Sequence, residues 1–230
     1  MNAHTTSHDL FRPLSGCILA DTGTMSFGFF GGCSELVGSS FSYAADQEIF
    51  GEDEHADYVY RIVSGAVRTC RILADGRRQI IGFHMPGEVF GCAATEHHRT
   101  SAEAITDTRV LVFERSQLER LASRNVEAAC RLWAMTARDL EQAEEHVLTL
   151  GRRSAVERVA AFLLDLDERV GIAGTIDLPM TRRDIADYLG LTLETVSRSL
   201  SQLQGEGALV LSDARRIAVH RRVLTRMVQA

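Results

Sequence analysis

Short apolar segments with partly alternating polar positions fill the chain between residues 30 and 115. Alternation over four to eight residues predicts half-buried β-strands. Turn-forming pairs such as Ser64-Gly65, Asp75-Gly76 and Pro86-Gly87 separate the segments. The pattern therefore predicts an all-β barrel or roll, with its clearest hairpin at Asp75-Gly76. The predicted strand segments are SELVGSSFSY, YVYRIVSGAVRTCRIL, RQIIGFHMPGEVFG, SAEAIT and TRVLVFE.

Beyond residue 115 the apolar positions change to a helical period. Ser116 is placed to cap a short helix, and a long helix follows, which we expect Gly151 to end as its left-handed terminal residue. Apolar or small residues recur along this long helix at alternating steps of three and four. This heptad seam consists of Val126, Ala129, Trp133, Thr136, Leu140, Ala143, Val147 and Leu150. A heptad pattern of this length favours a dimer contact between two copies of the helix.

The alternative interpretation is a core helix that lies on the β-roll, although such a helix usually carries a broader apolar stripe. A second stripe is in fact present, formed by Leu132, Met135 and, less well placed, Cys130. We therefore expect one face of the helix to meet the roll and the other to meet a partner copy.

The segment TRRDIADYLGLTLETVSRSLSQL carries the signals of a helix-turn-helix. Thr181 and Asp184 form a variant of the capping box at the start of the first helix. Gly190 interrupts the pattern after two turns, and Thr192 is placed to cap the second helix. A predicted hairpin, ALVLSDARRIAVH, follows, and a helix-turn-helix with such a hairpin is a winged helix.

The second helix buries Val196, Leu200 and Leu203 on one face, so its opposite face points outward. In a helix-turn-helix the N-terminal part of this helix enters the major groove of DNA. The expected base-reading residues are Leu193, Glu194, Ser197 and Arg198. Arg suits guanine, Glu suits cytosine, and an exposed leucine suits the thymine methyl group.

A second set of residues is placed to meet DNA phosphates, which position a protein without specifying a sequence. This set is Thr181, Arg182, Thr192, Arg215 and Arg216. For four of these residues the alternative is a side chain that contacts only solvent. The four are Thr181, Arg182, Arg215 and Arg216.

Charge is distributed unevenly along the chain, whose formal net charge is −6. Residues 1–150 hold 13 Arg and 21 acidic residues, a net of −8, whereas residues 151–230 hold 12 Arg and 10 acidic residues, a net of +2. An acidic body with a basic C-terminal part fits a polyanionic partner, here double-stranded DNA, that touches only that part.

Other classes of protein find little support in the sequence. The first thirty residues lack a basic region followed by a sustained apolar stretch, which argues against a secretory signal. No apolar run approaches the roughly 20 residues of a membrane span, so we expect a cytoplasmic protein without a membrane partner. No nucleophile–base set is present, which argues against an enzyme. The scattered cysteines are interpreted as reduced thiols and are Cys17, Cys33, Cys70, Cys92 and Cys130.

The stretch from YRIVSGAVRTCRIL through TRRDIADYLGLTLETVSRSL resembles the Crp/Fnr superfamily of bacterial transcription regulators. The resemblance rests on the E-T-V-S-R core and on the roll glycines Gly65, Gly76, Gly82, Gly87 and Gly91. It implies an α+β fold with a cyclic-nucleotide-binding-like β-roll, a long dimerisation helix and a C-terminal winged helix-turn-helix. We expect these domains at 29–122, 123–150 and 151–230, after an N-terminal arm at 1–28.

Within the superfamily, Leu193 and Ser197 resemble the Fnr and FixK branch, which reads TTGA half-sites. The catabolite-activator type has Arg and Gly at these two positions. The resemblance implies a homodimer that binds a TTGA-N6-TCAA palindrome, recruits RNA polymerase, and controls genes of microaerobic respiration or nitrogen fixation.

The effector signatures of the superfamily are incomplete. Cys92 stands where the cyclic-nucleotide type has the ribose-binding carboxylate, and Thr100 stands where it has the phosphate-binding arginine. Only Cys17 and Cys33 lie near the N-terminus, too few for the iron–sulfur cluster of the Fnr type. His84, His97 and His98 match no metal-ligand spacing. We expect no cofactor and no metal, and activity without a small effector; the alternative is a regulator gated by an unrecognised ligand or by oxidation of Cys92.

Overall fold

The structure is a computed structural model that describes residues 18–19, 36, 38–152, 154–170, 174–213 and 215–229. The expected arm lies outside these residues except for one two-residue strand, and Cys17 and Cys33 lie outside them too.

Two antiparallel sheets form the N-terminal roll, in the strand orders β1-β2-β9-β4-β7 and β3-β8-β5-β6. Their inward residues build a closed apolar core that includes Ile49, Ile62, Val67 and Val110, which confirms the predicted β-roll. The strands are β1 (Ile18–Leu19), β2 (Ser39–Tyr43), β3 (Glu48–Phe50), β4 (Tyr58–Ser64), β5 (Val67–Ile72), β6 (Arg78–His84), β7 (Val89–Phe90), β8 (Ser101–Ala104) and β9 (Thr108–Glu114).

The hairpin predicted at Asp75-Gly76 is confirmed. Strand β5 pairs with β6 so that Ile72 lies opposite Arg78. Gly76 has a φ of +81°, a left-handed conformation that glycine adopts without steric cost. The sequence does not predict β3, because three residues are too few for an alternating pattern to show.

Two helices follow the roll, α1 (Arg115–Arg124) and α2 (Val126–Arg152). The prediction that Ser116 caps α1 is wrong: β9 runs directly into the helix, and Glu114 is the cap residue without a side-chain capping bond. The prediction that Gly151 ends α2 is also wrong. Gly151 does not adopt a positive φ, so it stays within the helix, which continues to Arg152.

The C-terminal part combines four helices with a three-stranded sheet in the order β10-β12-β11. Its elements are α3 (Ala155–Val170), β10 (Thr175–Asp177), α4 (Arg182–Leu189), α5 (Leu193–Gly205), β11 (Leu209–Leu211), β12 (Arg216–Val219) and α6 (Arg221–Gln229). Antiparallel pairing of β11 with β12 confirms the predicted wing hairpin. Helix α6 was not predicted, although Val223, Leu224, Met227 and Val228 recur at helical spacing.

One continuous apolar cluster joins the roll to the winged helix. Ile80 and Phe83 of β6 belong to the same buried cluster as Leu163 of α3, Leu189 of α4 and Leu200 of α5. The roll and the winged helix therefore share part of their apolar core.

Leu163 is fully buried in this shared cluster, with 0% of its surface exposed. We expect Leu163→Ala to lower the free energy of unfolding by about 2–5 kcal/mol, because it removes apolar packing and leaves a cavity. Val210→Ala, at a half-exposed site on β11, serves as control and is expected to change it by less than about 0.5 kcal/mol. Chemical denaturation measures both, and equal effects would contradict the central place of Leu163.

Candidate nucleic-acid interface

The first helix of the predicted helix-turn-helix begins and ends as its sequence indicates. The Thr181 hydroxyl accepts a bond of 3.1 Å from the Asp184 amide, and the Asp184 carboxylate accepts one of 2.9 Å from the Thr181 amide. This reciprocal pair confirms the capping box. Gly190 ends α4 with a φ of +63°, so the chain turns sharply before α5.

The second helix is fixed in the fold by its inner face. Val196, Leu200 and Leu203 are buried, as predicted. The Thr192 hydroxyl accepts a bond of 3.2 Å from the Thr195 amide, which confirms Thr192 as the N-cap of α5. The helix cannot rotate without exposing its apolar residues, so its opposite face has a defined direction.

The outward face of α5 carries the four expected base-reading residues. Glu194 and Arg198 are exposed, Leu193 is 37% exposed, and Ser197 is half-buried. Bonds from its own backbone amide and from the Thr192 hydroxyl hold the pKa of Glu194 below its usual value. Glu194 is therefore an ionised acceptor near neutral pH, on the same helix face as an exposed leucine and an arginine.

The expected phosphate-contacting residues differ in the partners that they already have. The hydroxyls of Thr181 and Thr192 act in helix caps, and Arg182 lies 3.5 Å from the Ser197 hydroxyl. Arg216 pairs with Asp177 at 2.8 Å on the wing, whereas the Arg215 side chain is exposed. Sequence reasoning missed Arg183, an exposed cation on α4 whose charge helps to lower the pKa of Glu194.

The heptad seam of α2 lies on an uncovered face. Four of its large apolar members, Val126, Trp133, Leu140 and Val147, are between 59% and 80% exposed. Thr136 and Ala143 are exposed as well, and Ala129 and Leu150 are half-buried.

The other face of α2 packs against the roll. Ala128 is buried and Leu132 packs on the apolar cluster that contains Leu118 and Leu121 of α1. The second stripe therefore meets the roll as expected for Leu132. Cys130, the less well placed member of that stripe, is exposed.

Aromatic side chains fill the interior of the roll. Phe50 stacks on His98 with ring centroids 3.7 Å apart, and Tyr60 lies 5.3 Å from Phe50 and 5.1 Å from Phe90. A Cβ atom at Gly91 would come within 2.7 Å of the Tyr60 ring. The space inside the roll at this end is thus occupied by the side chains of the chain itself.

The loop that corresponds to the phosphate-binding segment is also engaged internally. The Ser101 hydroxyl accepts a bond of 2.9 Å from the Glu52 amide, and the Glu52 carboxylate pairs with Arg71. Arg99 is exposed and Thr100 is half-buried.

Cys92 as a residue is exposed, but protein surrounds its thiol closely enough to desolvate it. Desolvation raises the pKa of the Cys92 thiol to about 11, and the charge of Asp139 adds to this shift. Thiolates react with oxidants far faster than thiols do, so near neutral pH Cys92 is in its less reactive form. Within the described ranges, no group of three or more His, Cys, Asp or Glu residues is arranged to hold a metal ion.

A β-roll joined through a long helix to a winged helix-turn-helix defines a class of DNA-binding transcription regulators. Residues 40–125 match the family model of the cyclic nucleotide-binding domain, and residues 157–225 match that of the Crp-like helix-turn-helix domain. The chain belongs to the Crp/Fnr family of transcription regulators, and its relatives place it in the FixK-like branch.

Among these relatives is the nitrogen fixation regulation protein FixK of Azorhizobium caulinodans, 44% identical over 199 residues that cover 84% of this chain and 80% of the relative. The protein of the same name from Rhizobium meliloti is 44% identical, with 77% of this chain and 81% of the relative covered. The solved structure of FixK2 from Bradyrhizobium japonicum is 56% identical with a TM-score of 0.81, covering 85% of this chain and 99% of that one. No helix among the described residues is long and apolar enough to cross a membrane.

The Thr192 cap gives a testable consequence for the reading helix. We expect Thr192→Ala to lower the free energy of unfolding by about 1 kcal/mol, and Thr192→Asn to restore it, because Asn caps helices equally well. Ser201→Ala, an exposed hydroxyl in the middle of the same helix, is the control and should not lower stability. Chemical denaturation measures the three variants; failure of Asn to restore stability would contradict the cap as the main role of Thr192.

Proposed function

We propose that this protein is a homodimeric activator that binds a TTGA-N6-TCAA palindrome and does so without a small-molecule effector. The single observation that carries the proposal is the outward face of α5, where Leu193, Glu194 and Arg198 stand exposed beside one another. A winged helix-turn-helix inserts this part of its second helix into the major groove.

The chemistry of the three side chains matches the proposed half-site. The guanidinium of Arg198 can bond guanine O6 and N7 together, and the ionised Glu194 can accept from cytosine N4. Leu193 offers no hydrogen bond but contacts the C5 methyl group of thymine. Ser197 adds a hydroxyl that can reach a base or a phosphate.

Contacts to the DNA backbone would hold α5 in register with the bases. We assign that role to Arg182 and Arg215, with the caps Thr181 and Thr192 directing helix N-termini toward phosphates. Arg216 joins this set if DNA phosphate competes with its present partner Asp177. Arg183, exposed on α4, is a further candidate.

Dimerisation through the α2 seam explains why so much apolar surface lies uncovered. Trp133, Leu140 and Val147 would be buried between two parallel copies of the helix related by a two-fold axis. A two-fold dimer places its two reading helices about one DNA turn apart, which is the half-site spacing of the proposed palindrome. The domain limits 29–122, 123–150 and 151–230 describe the resulting division into roll, dimerisation helix and DNA-binding domain.

Independence of an effector is supported by the filled roll. Phe50, Tyr60, Phe90 and His98 pack against one another inside it, and Cys92 and Thr100 provide neither the carboxylate nor the arginine of the cyclic-nucleotide type. The names of the FixK relatives support control of nitrogen-fixation genes, and the resemblance to the Fnr and FixK branch adds genes of microaerobic respiration. An activator of this kind works in the cytoplasm with RNA polymerase as its partner.

The second candidate is a regulator that a ligand must activate through the roll. It would take a largely apolar ligand, because the polar groups that bind a cyclic nucleotide are absent. Oxidation of Cys92 as the signal is disfavoured by its raised thiol pKa.

Fluorescence anisotropy of the purified, ligand-free protein tests the proposal at one fixed salt concentration. We expect tight binding to TTGA-N6-TCAA and weak binding to TGTGA-N6-TCACA. Arg198→Ala should weaken binding to the first duplex by about 1–3 kcal/mol, because alanine cannot form the bidentate bond to guanine. Leu193→Arg should shift the preference toward the second duplex, since arginine favours guanine over thymine.

Arg226→Gln on α6 is the control for Arg198→Ala. It should leave the preference between the two duplexes unchanged. Weak, unselective binding of the wild-type protein to both duplexes would overturn effector independence and favour the ligand-gated alternative. Tight binding to both would overturn the base-reading role of Leu193.

The dimer seam is tested by charge placement on α2. Leu140→Glu would bury two facing carboxylates at the two-fold axis, so we expect the dimer dissociation constant to rise at least about 100-fold. Leu148→Glu changes an exposed leucine of the same helix that lies off the seam, and it should have little effect. Sedimentation equilibrium measures both variants, and an unchanged dimer for Leu140→Glu would exclude this seam.

A further inference from the structure

The β5–β6 hairpin of the roll lies directly against α4, the first helix of the helix-turn-helix. Arg78 donates from Nε to Asp187 at 3.0 Å and from Nη2 to Asp184 at 2.5 Å. The adjacent Gln79 donates to the backbone carbonyl of Asp187 at 2.8 Å. Two neighbouring side chains of one strand thus bind a single turn of α4.

A second arginine, Arg68 of the adjacent strand β5, supports this contact. Its side chain is only 9% exposed, and it pairs with Glu103 at 2.7 Å and with Asp46 at 3.0 Å. Its remaining Nη1 reaches Asp184 at 3.4 Å. The roll therefore presents two guanidinium groups to the same carboxylate, and its own acidic residues hold one of them in place.

The buried side chain of Asp184 both caps α4 and binds the two arginines of the roll. Its Oδ2 closes the capping box of α4, and its Oδ1 receives both arginines. Burial alone would raise the pKa of Asp184, but the bonds from Thr181 and the charges of Arg68 and Arg78 hold it below its usual value. The carboxylate is therefore charged and fully bonded at the joint between the roll and α4.

Aromatic contacts surround the ionic cluster. Tyr188 of α4 lies 5.2 Å from Phe83 of β6, 5.8 Å from Phe162 of α3 and 4.0 Å from His146 of α2, measured between ring centroids. Apolar packing of this kind holds the two parts together but tolerates small rotations. The Arg78 guanidinium adds a defined direction, because its Nε and Nη2 both donate to Asp187 Oδ2, at 3.0 and 2.9 Å, while Nη2 also donates to Asp184, and the planar group fixes the angle of approach.

We propose that Arg78 is a positioning residue for DNA binding, which holds the helix-turn-helix on the roll in the orientation that presents α5 to DNA. The arrangement leaves the outward face of α5 exposed, with Leu193, Glu194 and Arg198 clear of the roll. The inference rests on the proposed binding of a palindrome by a dimer. There, two reading helices must meet two half-sites at once, so a loosely held domain is competent for only a fraction of the time.

A reduced competent fraction weakens the apparent affinity by the same factor. We expect Arg78→Gln to raise the dissociation constant for TTGA-N6-TCAA about fivefold or more. Binding to a duplex with a single TTGA half-site should change less than about twofold, because one head alone needs no fixed orientation. Arg169 of α3, which pairs with Glu88 of the roll at 2.8 Å, keeps the domain attached in this variant.

Arg77→Gln is the matched control. Arg77 is the neighbouring arginine on the same hairpin and pairs within it, with Asp75 at 2.7 Å, while its side chain is 78% exposed. Both variants remove one positive charge from the same surface, so a general electrostatic effect on DNA would appear in both.

The salt dependence separates positioning from direct contact. If Arg78 instead bound a DNA phosphate, its removal would lower the slope of log Kd against log salt by about one and weaken both duplexes alike. A positioning role leaves the slope unchanged and weakens the palindrome selectively. Circular dichroism and a thermal melt establish that each variant is folded at the assay temperature.

Equal affinities of Arg78→Gln and Arg77→Gln for the palindrome would overturn the inference. If Arg78→Gln does not fold, Asp187→Asn decides instead, because it removes the negative charge of one partner of Arg78 and leaves the capping box intact. Failure of the wild-type protein to prefer the palindrome would count against the proposed function itself, which the wild-type measurement reports separately.

Discussion

The burial of one carboxylate, that of Asp184, constrains the whole junction between the roll and the winged helix. An ionised group taken out of water is costly unless hydrogen bonds and opposite charges compensate it. Here Thr181 supplies the local donors and Arg68 and Arg78 supply the distant ones. Because those arginines sit on the β5–β6 hairpin, Oδ1 of Asp184 gains its two charged donors only when α4 lies against the roll.

Through this constraint the roll determines the position of α4, and α4 in turn determines the position of α5. Helix α4 packs on α5, and the buried Val196, Leu200 and Leu203 set the rotation of α5. The direction in which Leu193 and Arg198 point therefore follows from where α4 is held. Buried ion pairs add little net stability, so the benefit of this cluster lies in geometry, while the shared apolar core supplies the attraction.

The packed interior of the roll and the uncovered seam of α2 both bear on how a dimer would present its reading helices. A roll whose interior contains the packed rings of Phe50, Tyr60, Phe90 and His98 is a rigid support for the hairpin. The seam around Trp133 and Leu140 leaves apolar surface that a lone chain keeps in water. A partner copy would cover this apolar surface. The two rolls, each with its reading helix, would then be related by a two-fold axis.

Features that depend on neighbours along the chain could be predicted from the sequence alone. These are the Asp75-Gly76 hairpin, the capping box, the Thr192 cap, the inner face of α5 and the heptad pattern, because turns, caps and helical faces involve residues at most a few positions apart. The predicted ends of the linking helices, at Ser116 and Gly151, were wrong because continuing backbone structure overrode a local signal. The meeting of Arg68 and Arg78 with Asp184 depends on the tertiary structure, since these residues are 116 and 106 positions apart. The aromatic filling of the roll depends on it too, because such contacts arise from the packing of distant strands and helices and leave no periodic trace in the chain.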